Sequence, residues 1–146
     1  MTLFPDLPQP ESNADIARRI FAYWKNVTNH PRSCMDAKRQ NLITARLNDG
    51  YSEEDLKLAA LGIANSLWHQ GQNPERKVYD SVELCYRNAD KVDMLIREGE
   101  HAQAREKRRA ANERIAAEAS LKLSTQGETY RENRGALLRL VKRNSE

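Results

Sequence analysis

The sequence predicts an all-α fold: a compact bundle of four to five short helices, followed by a long basic helix and a C-terminal helix. Three observations predict it. Apolar residues recur at helical spacing from Ile16 to Leu67. No segment shows the alternation of a strand. From Lys91 to about Leu123 the chain is mostly Ala, Glu, Arg and Lys, which are strong helix formers. Only 39% of the 146 residues are apolar, 31% are charged and the mean hydropathy is −0.84. That balance fits a modest core with long solvated helices rather than one deep core.

Residues 1–11 hold Pro5, Pro8 and Pro10 and read as an extended arm; Phe4 and Leu7 either pin it to the body, the preferred reading, or form a short linear motif for a partner. Ser12, three residues before Asp15, starts the first helix. Ile16, Ile20, Phe21, Trp24 and Val27 form its stripe, and Asn29-His30-Pro31 closes it. Ser33 is the expected cap of the second helix, whose inner face is Met35, Leu42, Ile43 and Leu47. Gly50 supplies its left-handed end. Ser52 and Asp55 form a capping box for the third helix, with Leu56, Ala59, Ala60, Ile63 and Leu67 as its stripe and Gly62 allowing close approach. A polar loop, 70–78, leads to a short helix over Ser81–Arg87 with Asp80 as cap. Asn88-Ala89-Asp90 then starts the long helix, in which Gly99 is the expected weak point. Ser124-Thr125-Gln126-Gly127 is expected to break it, and Thr129 to cap a final helix with Tyr130, Arg134, Leu137, Leu138 and Val141 on one face. Ile115, Ala119 and Leu123 form a weak seam, for that final helix folding back or for a partner chain. Three regions follow: the arm 1–11, a helical domain 12–96 and a basic extension 97–146.

The charge is uneven. Residues 1–96 carry 12 Lys and Arg against 13 Asp and Glu, net −1, whereas 97–146 carry 12 against 8, net +4. Such a bias suits phosphate or an acidic partner. No stretch approaches the roughly 18 apolar residues of a membrane span, and the first residues lack the basic and apolar regions of a signal peptide. The chain is therefore expected to be cytoplasmic, with no membrane association and with Cys34 and Cys85 as thiols.

No catalytic constellation stands out, and no enzyme activity is expected. Glu53-Glu54-Asp55 sits at a helix start, where acids favour the dipole. His30, Cys34, His69, Cys85 and His101 lack the spacing of a metal site. The six glycines are isolated, so no phosphate-binding loop forms, and no cofactor is expected. The basic residues are more informative. Arg18, Arg19, Lys25, Arg32, Lys38, Arg39 and Arg46 punctuate the first two helices and are candidate contacts for nucleic acid or a partner. Tyr23 and Trp68 are aromatic candidates for stacking on bases, with Trp24 assigned to the core and Trp68 to the surface. Arg105, Lys107, Arg108, Arg109 and Arg114 form the densest basic patch and are candidates for phosphate contact.

Residues 16–96 resemble the conserved helical domain at the C-terminus of many phage and prophage replication proteins, itself distantly similar to the DnaD-like replisome-organiser module. The pieces are Ile20-Phe21-Ala22-Tyr23-Trp24, Lys38-Arg39, Leu42 to Leu47, Gly50-Tyr51-Ser52 to Asp55-Leu56-Lys57, Tyr79-Asp80 with Leu84, and Arg87-Asn88 leading to Lys91-Val92. Order and spacing carry the likeness. It implies a replication accessory that binds single-stranded DNA or the replicative helicase, as loader or organiser. Such proteins usually carry a preceding winged-helix domain, whereas only about 15 residues precede the match here, so origin recognition by a winged helix is not expected. The alternatives are a helicase-inhibiting regulatory protein, which needs the same surface, and a structural module forming homo-oligomers through the C-terminal helices.

Overall fold

A computed structural model describes residues 8–144, so Phe4 and Leu7 lie outside the described residues. The described residues form five helices and no strand: α1 (Asn13–Val27), α2 (Ala37–Asn48), α3 (Glu53–Asn65), α4 (Val82–Cys85) and α5 (Ala89–Arg143). The all-α class is therefore correct. They fall into two compact units, one through Ala104 and one from Arg105 onward.

Local chemistry explains where most helices begin. The Ser12 hydroxyl accepts from the Asp15 amide, and Ile20, Phe21 and Trp24 face the core. Thr28 closes α1 by donating its hydroxyl to the Trp24 carbonyl at 2.6 Å. Ser52 and Asp55 complete a reciprocal capping box at the start of α3. The Asn88 side chain accepts from the Lys91 amide at 2.8 Å as α5 begins.

Two caps move. Asp36, not Ser33, caps α2, because its carboxylate reaches the Arg39 amide at 2.8 Å while 33–36 stays non-helical. Ser81, not Asp80, caps α4, which covers only Val82–Cys85. Asp80 is buried instead. α3 stops at Asn65, whose side chain bonds the Leu61 carbonyl, and Ser66 turns extended. Leu67, expected in the α3 stripe, is 65% exposed.

The largest departure is in α5. It runs without a break through Ser124–Gly127, so there is no separate C-terminal helix and no fold-back of Tyr130–Val141. Thr125 and Thr129, read as breaker and cap, instead donate their hydroxyls to the carbonyls of Leu121 and Thr125, each 3.0 Å away. That back-bonding satisfies the hydroxyl within a continuing helix, at a small cost in helix stability. Gly127 costs about 1 kcal/mol of helix propensity, too little to stop a helix propagating among good formers.

The core of the first unit joins Ile20, Phe21 and Trp24 of α1, Ile43 of α2, Leu56, Ala60 and Ile63 of α3, Val82 and Cys85 of α4, and Val92 and Leu95 of α5. α1 packs on both α2 and α3. The Tyr86 ring is fully buried, and its hydroxyl donates to the Leu56 carbonyl at 2.9 Å. Gly62 allows close approach as expected, and Gly99 answers it. A Cβ on Gly62 would lie 1.9 Å from the Leu95 carbonyl oxygen, and one on Gly99 would lie 2.1 Å from that of Leu58. Gly99 is therefore a packing contact, not a weak point. Gly99 and Ala102 are both buried, so the core of the first unit continues past residue 96.

Candidate nucleic-acid and partner interface

The bundle draws several expected basic residues into ion pairs. Arg19 reaches Glu53 through two hydrogen bonds of 2.9 and 2.8 Å and also pairs with Glu11. The Glu53 carboxyl is correspondingly held down at about 2, first by Arg19 and then by Lys57. Arg39 lies between Glu83 at 3.4 Å and Asp36, and it donates to the Cys34 carbonyl. Arg46 has an Nε 3.1 Å from the Asp49 carboxylate, close enough for an ion pair but without hydrogen-bond geometry. Arg18 pairs with Asp15 on the surface. The Lys25 ammonium lies 5.9 Å from the centre of the Phe21 ring, and the Lys57 ammonium 5.9 Å from that of half-buried Tyr23. Arg32 and Lys38 are exposed. The seven cations of 18–46 therefore do not act as one free stripe, because acids on three other segments take up Arg19 and Arg39.

In the second unit, Arg105, Lys107, Arg108, Arg109 and Arg114 are all exposed. At about 100° per residue, Arg105, Arg108 and Arg109 fall on one side of α5 while Lys107 and Arg114 fall on the other. Arg109 lies between Glu106 at 2.9 Å and Glu113 at 3.8 Å. Further along, Tyr130, Arg134, Leu137, Leu138 and Val141 share one face, as their spacing predicts. With Asn133 they line a shallow groove of about 270 Å³. Leu137 is 65% exposed, and Leu121, Leu123, Tyr130 and Leu138 are exposed to a similar degree. Tyr130, Leu137 and Leu138 make a contiguous exposed apolar patch on this face, whereas Leu121 lies on the other side of the helix.

The loop between α3 and α4 builds a second feature. Trp68, expected at the surface, is 50% exposed, whereas Trp24 is 2% exposed and donates its indole N–H to the Asp80 carbonyl. The Trp68 ring stacks on Tyr79, centroids 5.6 Å apart and planes 23° apart, and meets His69 edge-on at 5.0 Å. Asn73 fixes the loop by donating to the carbonyls of Trp68 and Lys77 and accepting from the Lys77 amide. The Tyr79 amide donates to the His69 carbonyl at 2.7 Å. Trp68, Asn73, Pro74, Glu75 and Tyr79 line an open cavity of about 420 Å³. Sequence reasoning selected Trp68 but missed Tyr79, because only the turn with Gly71 at φ 105° and Arg76 at φ 53° brings the two rings together.

Buried polar groups beneath this loop are satisfied. One Asp80 carboxylate oxygen lies 2.8 Å from His30 Nε2, and the other accepts from Gln70 at 3.1 Å. Gln70 also donates to the Ile63 carbonyl. His69 Nε2 accepts from the Lys91 ammonium at 2.8 Å, so its Nδ1 carries the proton toward the Ser66 hydroxyl at 2.7 Å. Burial first, and then the Lys91 charge, lowers the His69 pKa. The cluster is a chain of structural hydrogen bonds joining the loop to α3 and α5. Burial pushes the Cys85 thiol far above its ordinary pKa, so it is no nucleophile, and Cys34 is exposed.

Among the described residues, no group of three or more His, Cys, Asp or Glu side chains is placed to hold a metal ion. No helix among them is long and apolar enough to cross a membrane. The chain matches no family model, and no curated protein or solved structure shows significant similarity to it.

Proposed function

We propose that the protein is a non-catalytic DNA-replication accessory that docks on the replicative helicase through the distal half of α5 and also contacts single-stranded DNA. The observation that carries the docking half is the solvent-facing set Tyr130, Leu137 and Leu138 on one helical face. An amphipathic helix of this kind suits an apolar groove on a partner. Arg131 and Arg134 flank the apolar face, and 128–143 as a whole carries five Lys and Arg against Glu128 and Glu132, so the segment suits a groove with acids at its rim. The choice of helicase comes from the likeness of residues 16–96 to phage replication modules, which also supplies the process.

Capture of the purified replicative helicase by the immobilised full chain tests this reading. The wild type is expected to retain helicase, and Leu137→Asp with Leu138→Asp is expected to release it. Both side chains are exposed, so the double variant leaves the bundle core intact. Retention by the double variant, or no retention by the wild type, would defeat the docking half. An unwinding assay with the complex then separates loading from inhibition.

A further inference from the structure

We infer that the α3–α4 loop is a preformed stacking platform for single-stranded nucleic acid, with Trp68 as the base-contacting ring and Arg76 and Lys77 as the phosphate contacts. The inference rests on the single-strand half of the proposed function and gives it a place; none of the basic residues singled out in the sequence lies in this loop.

Four features support it. Trp68 is half exposed although it sits in a well-ordered hydrogen-bonded loop, so its exposure is not a consequence of slack packing. Tyr79 backs one face of the indole at 5.6 Å and His69 meets its edge, which fixes the ring before any ligand arrives. A prealigned aromatic face loses little rotamer freedom on binding. Arg76 and Lys77 are exposed in the same loop, and the φ of 53° at Arg76 belongs to the turn that places them between the two aromatic segments. Aromatic faces beside cations form the recurrent recipe for sequence-tolerant single-strand binding, because every base offers a π-face and every nucleotide a phosphate. One acid opposes it: Glu75 lines the cavity and accepts from the Tyr79 hydroxyl. Residues 75–77 together still carry a net charge of +1, and the Asn73 amide is already committed to the loop backbone.

The two tryptophans make the test direct, since Trp24 is buried and Trp68 is the one a ligand can reach. The probe is an oligothymidylate of about 12 nucleotides, within the usual site size of one module, titrated into the full chain at several salt concentrations. Tryptophan fluorescence is expected to be quenched on binding, and Trp68→Leu is expected to abolish the quench and weaken binding about tenfold or more. Arg76→Gly, which keeps the left-handed turn, together with Lys77→Gln is expected to flatten the dependence of log affinity on log salt by about 1.4, the value for two lost single-strand phosphate contacts. Glu75→Gln keeps a hydrogen-bond partner for Tyr79 and is expected to tighten binding.

Binding that leaves the fluorescence unchanged and survives both Trp68→Leu and the Arg76→Gly, Lys77→Gln double variant would overturn the platform while leaving single-strand binding in place. Absence of any binding would overturn both. An indole silent to oligonucleotide but shifted by helicase would assign the loop to protein contact and overturn the inference.

Discussion

Alanine is expected to be destabilising at Gly62 and Gly99, against its helix propensity. Both positions lie inside helices, where Gly→Ala ordinarily gains up to about 1 kcal/mol. Here the added methyl would sit 1.9 Å from the Leu95 carbonyl oxygen, or 2.1 Å from that of Leu58. Both obstacles are backbone, so no side chain can swing aside. Restoring an ordinary contact of about 3.4 Å requires α3 and the start of α5 to separate by more than 1 Å, a gap that forfeits much of the dispersion contact between the two helices. Val92, Leu95, Leu56 and Ile63 would lose packing together. Overpacking of this kind costs about 3 kcal/mol, leaving about 2 kcal/mol of net destabilisation after the propensity gain. For a unit of roughly 100 residues that lowers Tm by about 8–16 °C.

The assay is thermal unfolding followed by circular dichroism, with Gly135→Ala as control. A Cβ at Gly135 meets nothing closer than the Arg139 guanidinium at 3.8 Å, so that variant should gain helix stability. A Tm that rises or stays constant in Gly62→Ala or Gly99→Ala would refute the close backbone contact.

Two further outcomes follow from the polar cluster. Asp80→Ala removes the carboxylate partner of His30 and one of the two acceptors of Gln70, which keeps the Ile63 carbonyl; urea unfolding should show a loss of about 2 kcal/mol. His69, whose pKa is lowered in the fold, stays neutral there while the unfolded chain takes up a proton. Its contribution is thus fully present above the unfolded value of 6.5 and lost as pH falls below it. The urea midpoint should therefore drop between pH 7.5 and 5, with a flatter profile in His69→Gln; identical profiles would count against the neutral imidazole.

Much of the bundle is legible in the sequence because its signals are local. Ser12 with Asp15 and Ser52 with Asp55 mark helix starts within four residues, and the Ile20–Trp24 stripe identifies its own core face. What was not legible depends on distant partners. Asp80 reads as a cap, yet His30 lies 50 positions away and draws its carboxylate inward, leaving Ser81 to cap. Arg19 and Arg39 read as free cations until Glu53 and Glu83 arrive through folding. Thr125 and Thr129 carry the composition of a break, but a hydroxyl that bonds the carbonyl four residues back weakens a helix only slightly and does not end it. Of the candidate surface, Trp68 and the Tyr130–Val141 face were readable from spacing. The Trp68–Tyr79 stack was not, because two left-handed residues in the loop create it.

Amide hydrogen exchange on the full chain, alone and with the replicative helicase, tests the central claim most directly. The exposed distal half of α5 should exchange quickly alone. In the complex, protection should rise across Tyr130–Val141 and leave the core amides of α1 and α3 unchanged. Protection confined to the bundle, or none at all, would contradict docking through α5.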